Sequence, residues 1–296
     1  MLWLFTVSVF TGLILPVDLA ARAVIDQLGR NVRVPETPRR VVSLAPSITE
    51  IIFSIQRQDL LVGVSRFSDY PAAAREITKV GSYVHLDLER IVSLRPDLCI
   101  AIKDGNPREI AERLEGMGIP VYAVNPQNLA TVLEAISEIG ALLNAESQAH
   151  HLLEELRGRI HHIDQLVSTA AYRPKVFFQI GIAPIVSAGA DTFIHELVEY
   201  AGGINLAQTE KGYPRFSREQ VLGLAPEILI ITSMARGGLF EEVRSEWLGW
   251  KNMPAARDGH IYIEDANLFN RPSPRLVEGL ELLTRLIHPE LFEDPK

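Results

Sequence analysis

The segment Asp87–Ile102, DLERIVSLRPDLCIAI, has a second copy 130 positions later at Ser217–Thr232, SREQVLGLAPEILIIT. Each copy begins with a residue that favours a helix N-cap and continues with apolar residues at helical spacing. A proline ends each helix, and the apolar run that follows it predicts a buried strand. Two copies of one helix–turn–strand unit predict two similar lobes. The matching positions are Glu89 with Glu219, Leu94 with Leu224, Pro96 with Pro226, and Asp97 with Glu227.

The rest of the chain alternates short apolar runs with segments of helical periodicity, after a predicted hairpin at residues 24–35. The apolar runs predict strands at residues 41–45, 61–64, 98–102, 121–124, 176–180, 228–231 and 261–263. Such alternation predicts an α/β fold with largely parallel sheets. Residues 145–169 stay helical for about 37 Å, which predicts a rigid strut between the lobes. The predicted units are an N-terminal lobe (24–144), a connecting helix (145–170) and a C-terminal lobe (171–296).

Several local motifs predict where helices begin. Ser217 and Gln220 have the spacing of a capping box, and so do Ser47 and Glu50. Asn106 and Asp191 are predicted to cap the helices that follow them. Before the last helix, residues 267–274, NLFNRPSP, predict a polar, proline-rich loop.

The N-terminus has the pattern of a secretory signal: an apolar stretch, a proline and an A-x-A site at residues 21–23. The apolar stretch of about 14 residues is shorter than a bilayer span, so cleavage near Ala23 is expected rather than an uncleaved anchor. The only cysteine, Cys99, lies in a predicted strand, so no lipid anchor on an N-terminal cysteine is expected. These features predict an exported, unlipidated protein, located in the periplasm of a two-membrane bacterium.

The chain carries 29 basic and 37 acidic residues, a net charge of −8, with no basic run. This balance disfavours nucleic acid and anionic membrane surfaces as partners. The sequence contains no G-x-S-x-G elbow, no G-x-x-x-x-G-K-[ST] phosphate loop and no G-x-G-x-x-G motif after a strand. It therefore predicts a protein that is not an enzyme.

Eight histidines raise the question of a metal site. The adjacent pairs 150–151 and 161–162 lie on the predicted long helix, where neighbouring side chains point in different directions. His85, His195 and His260 are isolated in sequence. No resident metal and no cofactor are predicted. A periplasmic enzyme or metallochaperone that uses these three histidines is the alternative.

Aromatic residues recur in loops that follow strands or precede the repeated helices. Such loops can face each other across the gap between two lobes, where ligands commonly bind. Exposed rings suit a large, flat, partly apolar ligand, although single rings could instead anchor their loops to the core. As a set they predict an interlobe cleft. The residues are Phe67, Tyr70, Tyr83, Tyr213, Phe216 and Phe269, with Arg271 close to the last.

Glu89 and Glu219 occupy the second helical position of the two repeat copies, off the apolar face. A carboxylate there complements the helix dipole. One outward carboxylate on each lobe also predicts a docking pair for a basic, two-fold partner.

At these residues the chain resembles a cobalamin-binding periplasmic protein of an ABC importer, within the group of iron-siderophore, haem and cobalamin receptors. The resemblance covers nearly all of the mature chain. It is strongest at residues 62–71, 88–101, 217–232 and 267–283, which read VGVSRFSDYP, LERIVSLRPDLCIA, SREQVLGLAPEILIIT and NLFNRPSPRLVEGLELL. It implies the class III periplasmic binding protein fold, with two α/β lobes joined by one long helix. It also implies a monomeric receptor that binds a corrinoid.

The resemblance implies specific roles for residues. Glu89 and Glu219 would meet arginines of the inner-membrane permease dimer that works with an ATPase. The corrinoid would lie between the lobes and contact Phe67, Tyr83, Ile102, Ile180, Gly181, Tyr213, Asn267 and Arg271. Here Tyr83, Ile102, Ile180 and Tyr213 align with aromatic positions of the best-known member of the family, whose pocket is richer in tryptophan, and Asn267 replaces an acidic residue. A siderophore or haem receptor is therefore the alternative, with Tyr83 or His85 as the haem ligand.

Overall fold

The computed structural model describes residues 20–233 and 239–292. Most of the predicted signal peptide lies outside these residues, and Ala21–Ala23 form the first part of a strand. Cleavage near Ala23 therefore stays a prediction. Within the described residues, no helix is both long and apolar enough to cross a membrane.

The N-terminal lobe is built on a sheet of four parallel strands, preceded by an antiparallel hairpin. In chain order its elements are β1 (Ala21–Ile25), β2 (Asn31–Pro35), β3 (Val41–Ser43), α1 (Pro46–Ser54), β4 (Leu61–Val64), α2 (Leu88–Ser93), β5 (Leu98–Ile102), α3 (Arg108–Gly116), β6 (Val121–Val124) and α4 (Leu129–Leu142). Strands β1 and β2 form the hairpin, and the sheet has the order β4-β3-β5-β6. Helix α5 (Glu146–Ser168) leads out of this lobe.

The C-terminal lobe repeats this plan with a second sheet of four parallel strands. Its elements are β7 (Lys175–Gln179), β8 (Ile185–Val186), α6 (Phe193–Tyr200), β9 (Ile204–Asn205), β10 (Arg215–Phe216), α7 (Arg218–Leu224), β11 (Ile228–Ser233), α8 (Leu239–Leu248), α9 (Pro254–Asp258), β12 (Ile261–Asp265), α10 (Asn267–Asn270) and α11 (Arg275–Ile287). The sheet has the order β9-β7-β11-β12. The predicted α/β class with two parallel sheets is confirmed.

The sequence repeat occupies the same place in both lobes. Strands β5 and β11 each lie third in their sheet, beside the first parallel strand of the lobe. Asp87 accepts a hydrogen bond from the N–H of Arg90, and Ser217 forms the predicted capping box with Gln220. Both helices also end alike, because the equivalent residues Arg95 and Ala225 have φ values of 46° and 48°. This left-handed conformation turns each chain into the following strand.

The structure shows the role of the matched acidic residues Asp97 and Glu227. Asp97 accepts hydrogen bonds from the backbone N–H groups of Arg39 and Arg40, just before β3. Glu227 accepts one from the N–H of Lys175, the first residue of β7. Each carboxylate therefore satisfies backbone donors at the start of the neighbouring strand, where the ladder provides no partner.

The lobes share one hydrophobic core in addition to helix α5. Helix α5 has 23 residues, about 34 Å at 1.5 Å per residue, and continues through Gly158. A single cluster of buried side chains contains residues of α1, α4, α5, α6 and α11, and so extends across the boundary between the lobes. At its edge, Arg159 of α5 donates two hydrogen bonds to Glu281 of α11, at 2.7 and 2.8 Å. The strut is thus packed along its length, which limits relative movement of the lobes.

Three predicted helix caps are wrong, because the side chains concerned have partners elsewhere in the fold. Helix α1 begins without a side-chain cap, and Glu50 is buried among partners from the other lobe. Helix α3 also lacks a side-chain cap, and Asn106 bonds to three other segments. Thr192, not Asp191, caps α6.

The predicted loop at residues 267–274 contains a short helix. Its first four residues form α10, and only the remainder connects to α11. Phe269 within α10 is fully buried against Phe178 of β7, with ring centroids 5.3 Å apart. The buried ring fixes this segment to the core, which the polar composition of the stretch had concealed.

Candidate ligand-binding cleft

An open cleft lies between the lobes, at the end of the sheets where the strands β3, β5 and β7 finish. Its cavity volume is about 320 Å³. Such a size lies at the lower end of the range of small-molecule sites. Seven of the eight residues predicted to contact a ligand line it: Phe67, Tyr83, Ile102, Ile180, Tyr213, Asn267 and Arg271. Gly181 is not among the lining residues; it forms a bridge with Val186 beside the cleft.

Three aromatic rings give the cleft partly exposed apolar walls. Phe67 and Tyr83 meet edge to face, with centroids 6.4 Å apart, on the side of the N-terminal lobe. Tyr213 projects from the C-terminal lobe with 60% of its surface exposed, and Phe67 exposes 43%. Burial of large exposed rings is favourable, so a flat apolar ligand that covers them would gain binding free energy.

Partial desolvation at the cleft wall, with the nearby carboxylates of Asp191 and Asp104, raises the pKa of Tyr213. Its phenol is therefore neutral at physiological pH. It can donate a hydrogen bond to a ligand, whereas a negatively charged phenolate is disfavoured. Asp104 also lines the cleft and was not predicted.

Three of the aromatic residues from the predicted loops are anchors and do not line the cleft. Phe269 is fully buried. Phe216 packs edge to face on Phe177, with centroids 5.3 Å apart. Tyr70 lies under the guanidinium of Arg275, 4.0 Å from its ring centroid. For these rings the alternative of loop anchoring is correct, because each contacts a core ring or a fixed cation.

Arg271 lines the cleft, but its nitrogens are already engaged across the lobe boundary. Nη1 donates to Glu50 Oε1 at 2.8 Å and to Asp69 Oδ1 at 2.9 Å. Nη2 donates to the carbonyl of Phe67 at 3.1 Å. These three partners belong to the N-terminal lobe, whereas Arg271 follows α10 in the other. Arg271 therefore joins the lobes at the cleft, in addition to any contact that it makes to a ligand.

The same ionic cluster contains one further hydroxyl and one further cation. Ser273 donates from Oγ to Glu50 Oε2 at 2.6 Å, and Arg275 Nη1 lies 3.8 Å from Glu50 Oε1. Glu50 itself is 2% exposed. Burial raises the pKa of Glu50, although Ser273, Arg271 and Arg275 act in the opposite direction. Sequence reasoning missed this role; the available signal was a carboxylate within the apolar helix PSITEIIFS.

Asn267 and its neighbour Asp265 form the polar rim of the C-terminal lobe. Asp265 Oδ1 accepts hydrogen bonds from the backbone N–H of Asn267 at 2.9 Å and from its Nδ2 at 2.8 Å. The Asn267 amide is therefore oriented by a carboxylate two residues earlier. A second amide, Asn270, also lines the cleft and was not predicted.

Glu89 and Glu219 are both exposed, in the first turns of α2 and α7. The carboxylate of Glu219 has a lowered pKa because it accepts hydrogen bonds from its own backbone N–H and from the Ser217 hydroxyl. It is therefore ionised at any pH at which the protein is expected to work. The pair presents one outward negative charge on each lobe, as predicted, and its docking role stays a prediction.

The histidines do not form a metal site. Across the described ranges, no group of three or more His, Cys, Asp and Glu side chains could hold a metal ion. His195 Nδ1 lies 3.2 Å from the Asn205 amide, and His260 stacks on Tyr262 at 6.5 Å. His85 lines a separate depression with Arg66 and Arg90, outside the cleft. The alternative of a metal site built from His85, His195 and His260 is therefore wrong.

Residues 41–268 match the family model of the periplasmic binding proteins. This range includes both sheets and most of the cleft. The chain belongs to this family. Its members bind solutes and are not enzymes, in agreement with the prediction from the missing catalytic motifs.

Individual relatives share the fold over most of their length. The vitamin B12-binding protein of Vibrio parahaemolyticus is 32% identical over 83% of this chain and 88% of its own. The crystal structure of the periplasmic vitamin B12-binding protein BtuF of Vibrio cholerae is 27% identical, with a TM-score of 0.72, and covers 88% of this chain and 100% of its own. A periplasmic heme-binding protein from Pseudomonas aeruginosa is 28% identical, with a TM-score of 0.77, and covers 85% of this chain and 93% of its own.

Proposed function

We propose that this protein is a periplasmic receptor that captures a corrinoid of the cobalamin type in its interlobe cleft and delivers it to an ABC importer. The observation that carries the proposal is the convergence of seven predicted contact residues on one cleft. Aromatic rings from both lobes would lie against the macrocycle, while Asn267 and Asn270 offer amides to its polar side groups. The relatives named as vitamin B12-binding proteins support this choice of ligand.

Calorimetric titration tests the ligand directly. Purified mature protein should bind cyanocobalamin with a stoichiometry of one, and dicyanocobinamide serves as a second corrinoid probe. Tyr213→Ala should weaken binding by about fivefold, the loss of one aromatic contact worth roughly 1 kcal/mol. Tyr200→Ala is the matched control, because Tyr200 is also exposed but does not line the cleft. Absence of heat with both corrinoids would reject the proposal.

Haem is the second candidate ligand, supported by the similarity to the heme-binding protein of Pseudomonas aeruginosa. A ferric haem requires an axial ligand from the protein. His85 lies outside the cleft lining, which leaves the phenols of Tyr83 and Tyr213. If the ligand is a corrinoid, a hemin titration should produce no shifted Soret band in the wild-type protein. A strong band that Tyr83→Phe abolishes would favour haem over a corrinoid.

Glu89 and Glu219 are proposed to dock the receptor on the two subunits of an inner-membrane permease. Reversing both charges, Glu89→Arg with Glu219→Arg, should abolish corrinoid uptake by cells while affinity in solution stays unchanged. Glu109→Arg with Glu146→Arg is the matched control, because these exposed glutamates also occupy the first turns of helices. Loss of ligand affinity in the docking variant would assign the two residues to the fold instead.

Export to the periplasm without lipidation completes the proposal. It rests on the signal pattern and on the single, buried Cys99. Mass spectrometry of the protein recovered from an osmotic-shock fraction would identify the mature N-terminus. Recovery only in the membrane fraction would contradict a free periplasmic receptor.

A further inference from the structure

The loop that follows β5 contains an asparagine with three hydrogen bonds to three different segments. Asn106 Oδ1 accepts from the backbone N–H of Ile102 at 2.8 Å. Its Nδ2 donates to the carbonyl of Leu44 at 2.9 Å and to the carbonyl of Tyr83 at 2.7 Å. The two carbonyls and the N–H fix the orientation of the amide, because the opposite orientation would place like groups together.

These three bonds join the end of β5, the residue after β3 and the loop that carries Tyr83. Ile102 ends β5, and Leu44 follows directly after β3, so both belong to the rigid sheet. Tyr83 lies in the loop between β4 and α2 and has no regular secondary structure. Asn106 therefore ties the backbone of a loop to the C-terminal ends of the two central strands. The loop residue that it binds is Tyr83, whose ring forms part of the cleft wall.

The preceding glycine holds the ring of the same tyrosine. Gly105 has a φ of 128°, and a β-carbon there would lie 2.6 Å from Cδ2 and 2.8 Å from Cε2 of Tyr83. The ring thus packs on the bare backbone of Gly105, in space that any other residue would fill. From there it meets Phe67 edge to face. Backbone and ring of Tyr83 are held by two successive residues of one loop.

We infer that Asn106 and Gly105 are positioning residues that pre-form the Tyr83 wall of the cleft. The inference rests on the proposed function. A loop that is already ordered loses little conformational entropy when the ligand binds, so its contacts contribute fully to affinity. Only a planar group with one acceptor and two donors satisfies all three partners. Aspartate, serine and alanine do not provide such a group.

A double-mutant cycle separates positioning from general stability. Asn106→Ala should weaken cyanocobalamin binding by about fivefold, because the released Tyr83 loop must then be ordered when the ligand binds. In a Tyr83→Ala background the same substitution should change affinity by less than about twofold, because the residue acts through that ring. Asn128→Ala is the matched control: it removes the side-chain cap of α4, away from the cleft lining, and should leave affinity unchanged.

Equal factors for Asn106→Ala in both backgrounds would overturn the inference while leaving the proposed function intact. A wild-type protein that binds no corrinoid would instead reject the proposed function. In that case the fluorine NMR signal of 3-fluorotyrosine at position 83 still tests the positioning role without a ligand. Asn106→Ala and Gly105→Ala should shift or broaden this signal relative to Asn128→Ala, and an unchanged signal in both would refute it.

Discussion

Arg271→Met would remove the nearest cation of a buried carboxylate while nearly preserving side-chain volume. Glu50 would keep the hydrogen bond from Ser273 at 2.6 Å, and its nearest cation would be Arg275 at 3.8 Å. Asp69 and the carbonyl of Phe67 would also lose the guanidinium that holds their loop. The substitution therefore acts at the contact between the lobes as well as at one charge.

The expected cost is large because Glu50 is 2% exposed. Removal of one member of a buried ion pair typically costs 3–5 kcal/mol, since the remaining charge stays in a poorly solvated site. The remaining hydroxyl and the more distant guanidinium place this case at the lower end of that range. We expect a loss of about 3 kcal/mol in the free energy of unfolding near neutral pH.

The cost should depend on pH in a direction that the pKa of Glu50 determines. Burial already raises that pKa above the usual 4.5, and loss of Arg271 removes one influence that lowers it, so it rises further. A carboxyl whose folded pKa exceeds its unfolded pKa is neutral in both states at low pH. Each protein loses about 1.4 kcal/mol of stability per pH unit as pH increases from its unfolded to its folded pKa. The cost of Arg271→Met relative to wild type therefore grows as pH increases from the folded pKa of the wild type to that of the variant.

Urea unfolding of wild type and variant at about pH 5 and pH 7.5 measures both effects. Arg257→Met is the control, because Arg257 pairs with Asp258 on the surface and should contribute less than about 1 kcal/mol. Glu50→Gln combined with Arg271→Met should be more stable than Arg271→Met alone, since the buried charge of Glu50 is then removed. The reasoning is refuted if Arg271→Met costs no more than the control, or if its cost is smaller at the higher pH.

Four further outcomes follow from single positions. Burial raises the pKa of the Cys99 thiol to about 12, so a thiol reagent at mild alkaline pH should label it only after unfolding; rapid labelling of native protein would contradict its burial. Gly279→Ala should destabilise the protein by about 2 kcal/mol, because the added carbon would lie 2.6 Å from the carbonyl oxygen of Leu268. Gly158→Ala, with nothing within 4 Å, should instead stabilise helix α5 by up to about 1 kcal/mol, and thermal unfolding distinguishes the two. Ala225→Gly should raise the melting temperature, because Ala225 adopts a φ of 48°, and an unchanged or lower value would count against strain at this turn.

The repeat made the architecture predictable from sequence. Its helix caps, apolar spacing and prolines are local signals, and they fixed the positions of α2, β5, α7 and the start of β11 closely. The matched acids Asp97 and Glu227 have the same structural role in both copies. Each accepts hydrogen bonds from backbone donors at the start of the neighbouring strand. The seven cleft-lining residues were found through a family resemblance and not through periodicity.

Other features depended on partners that are distant in sequence. Glu50 has the local spacing of a capping residue, yet its partner Arg271 lies 221 positions away. Asn106 likewise precedes a helix but bonds to Leu44, 62 positions before it. The sequence could not distinguish the core rings of Phe216 and Phe269 from the cleft rings of Phe67 and Tyr213, because composition does not reveal which side of a loop faces the core. Tertiary contacts overrode local propensity at each of these positions.

The hydrophobic cluster that extends from α1 and α4 through α5 to α6 and α11 makes the halves of this chain thermodynamically inseparable. Excision of either half would expose its share of that apolar surface to water, so neither should fold by itself. Denaturation should accordingly be one cooperative transition with a single midpoint, despite two separate sheets. A solute held in the cleft would then protect amide hydrogens from exchange throughout both halves, including strands that lie far from it.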